Sequence, residues 1–517
     1  MDDQRDVISF LSEAESYGKA GLTLERLETH ISMVFLIGDR AYKLKRAVRF
    51  SYLDYSTAAR REWFCKAEFE LNRRTAPALY LRVRAITREA GGNLAFDGDG
   101  TVLDWVLEMQ RFAQDGLFDR LAEARKLTPE LMRELTAVIT EFHAAAEVTR
   151  DHGGRAAIEQ TIGDNHANLL ESCPPLDSHQ VQRLYAASML KLSTLGPLLD
   201  SRRDAGKVRH CHGDLHLRNI CLFEGRPTLF DCIEFSDALS CIDVFYDLAF
   251  LLMDLIHRDL HDLANIVFNR YLDLTADLDG LAALPLFMSV RAAVRTHVLA
   301  AQDRQHPSRR TSGDAHAYFS LASSLLCPHP PCLIAIGGLS GVGKSTLAHE
   351  LAPGFAPAPG ARLIRSDVLR KRLFDVAPET RLPPSAYETK TTERVYRGLH
   401  EQATASLAAG YTAIVDATFL QKEERTRIAA SAASSHVPFI GLWLEAPSEV
   451  LAARIGTRGR DASDANLRVL QQQLKIDTGP IGWCRIDATR DLATSLPAAR
   501  ALINRFCEGL RSVASPA

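Results

Sequence analysis

The sequence predicts two domains of different class, a two-lobed α+β domain followed by an α/β domain built on a parallel sheet. Three observations predict this. The chain has 517 residues, too many for one hydrophobic core. Residues 1–325 read as strands first and helices second, with a loop-and-hairpin block among the helices. From residue 332 onward, apolar strands alternate with helical patterns, the arrangement of a parallel sheet covered on both faces.

In the first half, residues 24–29 alternate, 34–37 are apolar, and 41–45 follow a Gly38-Asp39 turn. Gly-Asp between two apolar runs is a hairpin signal. A helix is expected at 56–75 with Ser56 as its N-cap. Residues 103–109 read as a strand. Thr128-Pro129 opens another helix with proline at its first position. Leu131, Leu135, Val138, Ile139 and Phe142 share one face of it. Further helices are expected around 180–199, 243–258 and 281–303. Between them, 208–211 is a short strand, and 220–223 with 228–230 form a hairpin around Glu224-Gly225.

The stretch 302–331 is polar and Ser- and Pro-containing, with a helix possible at 314–326. It places the domains at 1–325 and 332–517, joined by a linker at 326–331. Strand candidates beyond it are 333–336, 361–364, 413–415, 439–444 and 483–486.

Composition excludes several classes. The formal charge of −3 leaves no global footprint for nucleic acid or an anionic membrane. The N-terminus is polar and lacks the apolar run of a signal peptide, and no apolar stretch is long enough to span a bilayer. The 10 cysteines form no Cys-x-x-Cys pair, so reduced thiols in a cytoplasmic protein are expected. His210-Cys211-His212 suits no zinc motif, because adjacent strand residues point to opposite faces.

The residues that carry chemistry form two groups. His212-Gly-Asp214-Leu-His-Leu-Arg-Asn219, with Asp231 on the following hairpin, sets two carboxylates and an amide at fixed spacing. Phosphoryl transfer needs phosphate, metal and acceptor hydroxyl held in line, with developing charge neutralised. Asp214 is placed to take the acceptor proton, and Asn219 and Asp231 to hold Mg2+. His216 and Arg218 are open between loop packing and substrate contact.

This block, with Asp231-x-x-Glu234-Phe235 and Asp243-Val-Phe-Tyr-Asp247, resembles the aminoglycoside phosphotransferase (choline kinase-like) branch of the protein-kinase fold over residues 1–325. The resemblance implies a strand lysine on the ATP phosphates. Lys43 and Lys45 share one strand face. Lys43 is favoured, since Arg-Ala-Tyr-Lys43 sits like the kinase Val-Ala-Ile-Lys, and Lys45 is expected to be a solvated surface lysine. The resemblance further implies Glu68 as the ion-pair partner, with Glu70 as the alternative, residues 108–111 beside the adenine, and a bracing role for the Asp243–Asp247 motif. The kinase Gly-rich loop is absent; Thr29-His-Ile-Ser32 occupies its turn.

The second group is Gly338-Leu-Ser-Gly341-Val-Gly343-Lys344-Ser345-Thr346, after an apolar strand and at the start of a helix. That context makes the pattern a phosphate-binding P-loop. Its backbone N–H groups and helix N-terminus bind the anion, Lys344 reaches the β/γ-phosphates, and Ser345 ligates Mg2+. Asp367, Arg370 and Asp416 follow strands at the carboxyl edge of the sheet, where ligands bind in open α/β folds. Asp367 is a candidate to orient an acceptor hydroxyl and Arg370 its phosphate or the transferring group, and Asp416 reads as a Walker-B carboxylate for the metal. Arg454, Arg458 and Arg460 are a candidate arginine lid. Arg362, Arg365, Arg370, Lys371 and Arg372 form a basic cluster, a candidate site for a phosphorylated acceptor but more commonly a solvated face.

Residues 332–510 resemble small P-loop kinases: bacteriophage polynucleotide kinase, gluconate kinase, chloramphenicol phosphotransferase and zeta toxin. The whole chain resembles bacterial proteins described as bifunctional aminoglycoside phosphotransferase/ATP-binding proteins. The expected architecture is therefore a bilobal protein-kinase-like fold followed by a P-loop kinase fold. The expected cofactors are ATP and Mg2+, and the expected acceptors small-molecule hydroxyls. A polynucleotide 5′-kinase or a regulatory ATPase switch stands as the alternative for the second half.

Overall fold

The computed structural model describes residues 2–19, 21–50, 53–172, 176–305, 309–457 and 463–513. By contacts the chain divides into two compact units, 1–161 with 196–254, and 162–195 with 255–517.

The first unit contains a six-stranded antiparallel sheet. Its order is Leu24–Glu28, Ser32–Ile37, Arg40–Lys45, Thr101–Gln110, Tyr80–Arg88, Leu94–Phe96. The Gly38-Asp39 hairpin forms as read, with Gly38 at φ 55° and Val34 opposite Lys43. Period-2 alternation sorts the strand Arg40–Lys45. Tyr42 and Leu44 enter one core with Phe35, Ile86 and Val106, while Ala41 enters the other with Leu36, Leu107 and Met109. Lys43 and Lys45 are on the Ala41 face.

The strand Tyr80–Arg88 was not legible from periodicity. Arginines at 82, 84 and 88 interrupt its apolar residues, and the pairing slips between Tyr80 and Arg82 and again between Ile86 and Thr87. Its charges are met by other elements: Arg82 Nε lies 2.9 Å from Glu108 Oε2 across the sheet, Arg84 Nε 2.6 Å from Asp97, and Arg88 pairs with Asp6 of the N-terminal helix.

The helix expected at 56–75 runs Ala58–Asn72, and its N-cap is Thr57 rather than Ser56; Thr57 Oγ1 accepts from the Arg60 N–H at 3.4 Å. Its buried residues are Arg61, Cys65, Glu68 and Asn72, at the i, i+4, i+7 and i+11 spacing of a single face. A helix that buries a mostly polar stripe must pair each group in it. Arg61 makes a bidentate pair with the buried Asp104, at 2.7 and 2.9 Å. The helix Pro129–Ala145 is capped by Thr128 as expected. It buries Met132, Leu135, Thr136, Ile139, Phe142 and His143, so Leu131 and Val138 fall on the margin of the face.

The second unit holds a five-stranded, wholly parallel sheet. Its order is Arg362–Arg365, Ala413–Asp416, Leu333–Gly337, Phe439–Glu445, Cys484–Asp487. Both faces are covered. Ile334, Ile336, Leu442 and Leu444 pack against the helices Lys344–Leu351 and Leu492–Val513, and Leu333, Ala335, Val415 and Trp443 against Thr389–Ala408 and Lys422–Ser434. Burial on both faces is why the three inner strands read as continuous apolar runs.

The helices His261–Thr275, Leu284–Gln305 and Arg309–Leu325 cluster by contact with this sheet. One reason is the edge strand. Asn269, buried on the first of these helices, accepts from the Leu363 N–H at 2.7 Å and donates to the Ala361 carbonyl at 3.2 Å. Those groups would otherwise be an open sheet edge. Among the described residues, no helix is long and apolar enough to cross a membrane.

Candidate active sites

In the first unit, the string 212–219 is a loop ending in a 3-10 turn at Leu217–Asn219. The loop is held by a carboxylate from the helix Val244–His257. Asp247 accepts from the N–H groups of His212 and Gly213, at 3.0 and 2.9 Å. This is the bracing that the resemblance implies. His212 Nε2 lies 2.9 Å from the Phe230 carbonyl, so it carries the proton and leaves Nδ1 facing the Asp214 N–H at 3.4 Å. Burial lowers the His212 pKa and keeps the ring neutral.

Asn219 donates Nδ2–H to the Asp214 carboxylate at 2.8 Å and to its carbonyl at 3.0 Å. The amide oxygen, the atom a cation needs, is thereby turned away from Asp214. His216 Nε2 is 3.3 Å from Asp214 Oδ2. Asp231 sits at φ 60°, a left-handed conformation stabilised by the bond from its N–H to Tyr80 Oη at 3.0 Å. Its Oδ1 meets Lys43 Nζ at 2.5 Å.

Lys43 also meets Glu68 Oε1 at 2.7 Å. The strand and the polar helix stripe thus deliver Lys43, Glu68 and Asp231 to one place. Burial works to lower the Lys43 pKa, and the carboxylates of Asp231 and Glu68 more than reverse it.

Lys45 is not a surface lysine. It is 1 % exposed, with Nζ 2.6 Å from Glu68 Oε2 and also paired with Glu234. Tyr55 Oη donates to the same Glu234 oxygen at 2.5 Å. The strand places residues 43 and 45 on one face, and that face is covered by Glu68, whose two oxygens take one lysine each. Burial pushes the Glu68 carboxyl up, and the two ammonium groups overcome this and hold it below the usual carboxylate range. Lys45→Met is expected to destabilise the unit by about 3–5 kcal/mol, the cost of removing one partner from a buried ion pair. Lys66→Met removes an exposed lysine paired with Glu62, and should change stability by less than about 1 kcal/mol. Denaturant midpoints of the two variants check this.

Sequence reading missed Asn72 and Asp254. Asn72 Oδ1 accepts from the Cys232 N–H at 2.9 Å, beside Asp231, and Asp254 accepts from the Leu217 N–H at 3.1 Å. The polar stripe of the helix Ala58–Asn72 is the signal that could have found Asn72.

In the second unit, the loop 338–343 joins the strand Leu333–Gly337 to the helix Lys344–Leu351. Gly338 has φ 135°, and a Cβ there would lie 2.5 Å from the Leu444 carbonyl oxygen, so only glycine fits. A Cβ on Gly341 would meet the Leu451 carbonyl oxygen at 2.9 Å, and Gly343 caps the helix at φ 96°. Lys344 folds back over its own loop, with Nζ 3.0 Å from the carbonyls of Gly338 and Leu339. Ser345 Oγ donates to Asp416 Oδ2 at 2.5 Å. Thr346 is exposed in the first turn of the helix.

Asp367 lies in the first turn of the helix Ser366–Leu373, and burial pushes its carboxyl up. Arg370 is buried. Its Nη1 donates to the Ala386 carbonyl at 2.8 Å, and its guanidinium lies 4.7 Å over the Tyr387 ring. Arg454 donates to the carbonyls of Ala488, Thr489 and Arg490 at 2.8, 3.2 and 2.5 Å. Arg458 and Arg460 lie outside the described residues.

The basic cluster is not a solvated face. Arg362 pairs with Asp273 at 2.6 Å, Lys371 pairs with Asp464, and Arg365 Nη2 lies 3.3 Å from Ser345 Oγ. Only Arg372 of the five is exposed. The carboxylates come from distant segments, Asp273 on the helix His261–Thr275 and Asp464 ahead of the helix Leu467–Gln473, which the local sequence does not show.

Residues 55–284 match the model of the phosphotransferase enzyme family, and residues 333–477 match that of an AAA domain. The protein joins two kinase-type domains. The two matches support a phosphotransferase enzyme. It is 29% identical over 464 residues to an uncharacterised protein of Mycobacterium tuberculosis, covering 87% of this chain and 90% of that one. Among solved structures it is similar to a gluconokinase from Sinorhizobium meliloti, at 21% identity over 37% of this chain and 100% of that one, TM-score 0.28. It is similar also to a choline/ethanolamine kinase family protein from Mesorhizobium loti, at 16% identity over 62% and 94%, TM-score 0.39.

Proposed function

We propose that the protein carries two separate Mg-ATP sites, one in each kinase-type domain, and that each transfers the γ-phosphate to a hydroxyl of a small-molecule acceptor. The observation that carries this reading is that both domains bring a lysine and hard oxygen donors together. The contacts are Lys43 with Glu68 and Asp231, and Lys344 on its loop beside Ser345 bonded to Asp416.

Carboxylate, hydroxyl and amide oxygens suit Mg2+, which favours such ligands. Asn219 and Asp231 would hold it in the kinase-like domain, and Ser345 and Asp416 in the P-loop domain. Bound there, Mg2+ supplies charge neutralisation on the phosphates. Lys43, oriented by Glu68, binds phosphate oxygens in the first site; Lys344 and the loop N–H groups do so in the second. Asp214 accepts the proton of the acceptor hydroxyl as its oxygen bonds to phosphorus and the bond to the β-phosphate breaks. Asn219 holds that carboxylate in place. Asp367 orients the acceptor in the P-loop domain. Arg370 shapes the wall beside it through Tyr387, and Arg454 positions the segment 488–490 through its carbonyls.

The inward pairing of Arg362 and Lys371 leaves little of the basic cluster to track a polyanion, which favours a small acceptor over nucleic acid. Calorimetric titration with Mg-ATP tests the reading. Two molecules bound per chain are expected, falling to one in Lys43→Met and one in Lys344→Ala. One molecule per wild-type chain would overturn it.

A further inference from the structure

The Leu339–Ser340 peptide inside the P-loop is gripped from both ends. Its carbonyl oxygen accepts from Lys344 Nζ at 3.0 Å. Its N–H donates to Gln473 Oε1 at 2.9 Å. In a trans peptide these two groups point in opposite directions. Rotating the peptide would turn the carbonyl away from Lys344 and strand the Ser340 N–H, and Ser340 is buried at 8 % exposure.

Gln473 is presented by firm structure. It ends the helix Leu467–Gln473, which Asn466 caps at the Val469 N–H, 3.1 Å away. Leu470 packs in the core of the sheet with Leu451 and Ile334. Upstream, Asp464 Oδ2 accepts from the Leu382 N–H at 3.0 Å and Tyr387 Oη at 2.7 Å, and it pairs with the buried Lys371. The helix that ends in Gln473 is thus anchored upstream of the glutamine, at Asp464, Asn466 and Leu470.

We infer that Gln473 is a positioning residue for phosphoryl transfer in the P-loop domain. By accepting the Ser340 N–H it fixes the Leu339 carbonyl toward Lys344, and so fixes where the Lys344 ammonium sits. Gln473 acts through that peptide and not on the phosphate itself. Lys344 keeps its second restraint, the Gly338 carbonyl at 3.0 Å, so losing Gln473 loosens the lysine without releasing it. The inference rests on the P-loop domain being a phosphotransferase site.

The test measures steady-state transfer in an Asp214→Asn background, which isolates the P-loop domain. Gln473→Met keeps the length of the side chain and removes the acceptor oxygen. It is expected to lower kcat about tenfold, as for one lost hydrogen bond at a buried donor, with KM for ATP changed less than kcat. Gln473→Glu restores an acceptor oxygen and is expected to return kcat to within about threefold of wild type. A role confined to docking the helix would lower the melting temperature in Gln473→Met and leave kcat unchanged; that result overturns the inference. An equal loss of kcat in both variants overturns it as well. Absence of any transfer in the Asp214→Asn background refutes the two-site reading instead, and is read before either glutamine variant.

Discussion

Asp214→Asn is expected to lower transfer at the kinase-like site by about a thousandfold, within the range set by loss of a positioned general base. The substitution keeps shape and removes the basic oxygen. The amide of Asn219, now donating at 2.8 Å to Asp214 Oδ2, is still met once the substituted side chain turns its amide oxygen toward it, so the loop should stay folded. Its other restraints do not involve the carboxylate: Asp247 grips the His212 and Gly213 N–H groups, and Asp254 the Leu217 N–H. The loss should therefore appear in kcat with little change in KM for ATP. Initial rates with labelled ATP check this, and a melting temperature within a few degrees of wild type separates chemistry from misfolding.

Lys344→Ala should remove activity at the P-loop site by about a hundredfold or more, as when one electrostatic contact to developing charge is deleted. The lysine is held by two carbonyls of its own loop, so its ammonium is stationed before nucleotide arrives. The Leu339 carbonyl keeps a second donor, the Val342 N–H at 3.4 Å. Gly338 is anchored separately, its N–H donating to the Thr418 carbonyl at 3.1 Å. The expected signature is weaker nucleotide binding together with lower kcat, in contrast to Asp214→Asn. Titration calorimetry beside rate measurements distinguishes the two patterns.

Much of the fold was legible because its signals are local. The strands Leu333–Gly337 and Phe439–Glu445 are apolar runs bounded by turns, and Thr128-Pro129 marks a helix start within two residues. The strand Tyr80–Arg88 was hidden because two register slips break its alternation and its arginines find carboxylates on other elements, Glu108, Asp97 and Asp6. The same distinction holds for the sites. Asp214 and Asn219 are five residues apart, and Gly338 to Ser345 are contiguous, so spacing alone drew attention to them.

Long-range partners were invisible. Lys45 was misread because Glu68 and Glu234 come to it from 23 and 189 residues away. Arg362 and Lys371 were read as solvated because Asp273 and Asp464 lie far along the chain. Gln473 reaches Ser340 across 133 residues, and no local pattern announces it. Burial of a polar group is settled by what folds over it, and a short window of sequence does not contain that element.

The most direct measurement is transfer from γ-labelled ATP with Mg2+ into a fractionated bacterial metabolite extract, by wild type, Asp214→Asn, Lys344→Ala and the double variant. Two separate small-molecule phosphotransferase sites require labelled small molecules that divide into two sets, one lost in each single variant and both in the double. Loss of all labelled products in either single variant, or label found only in nucleic acid or protein, would contradict them.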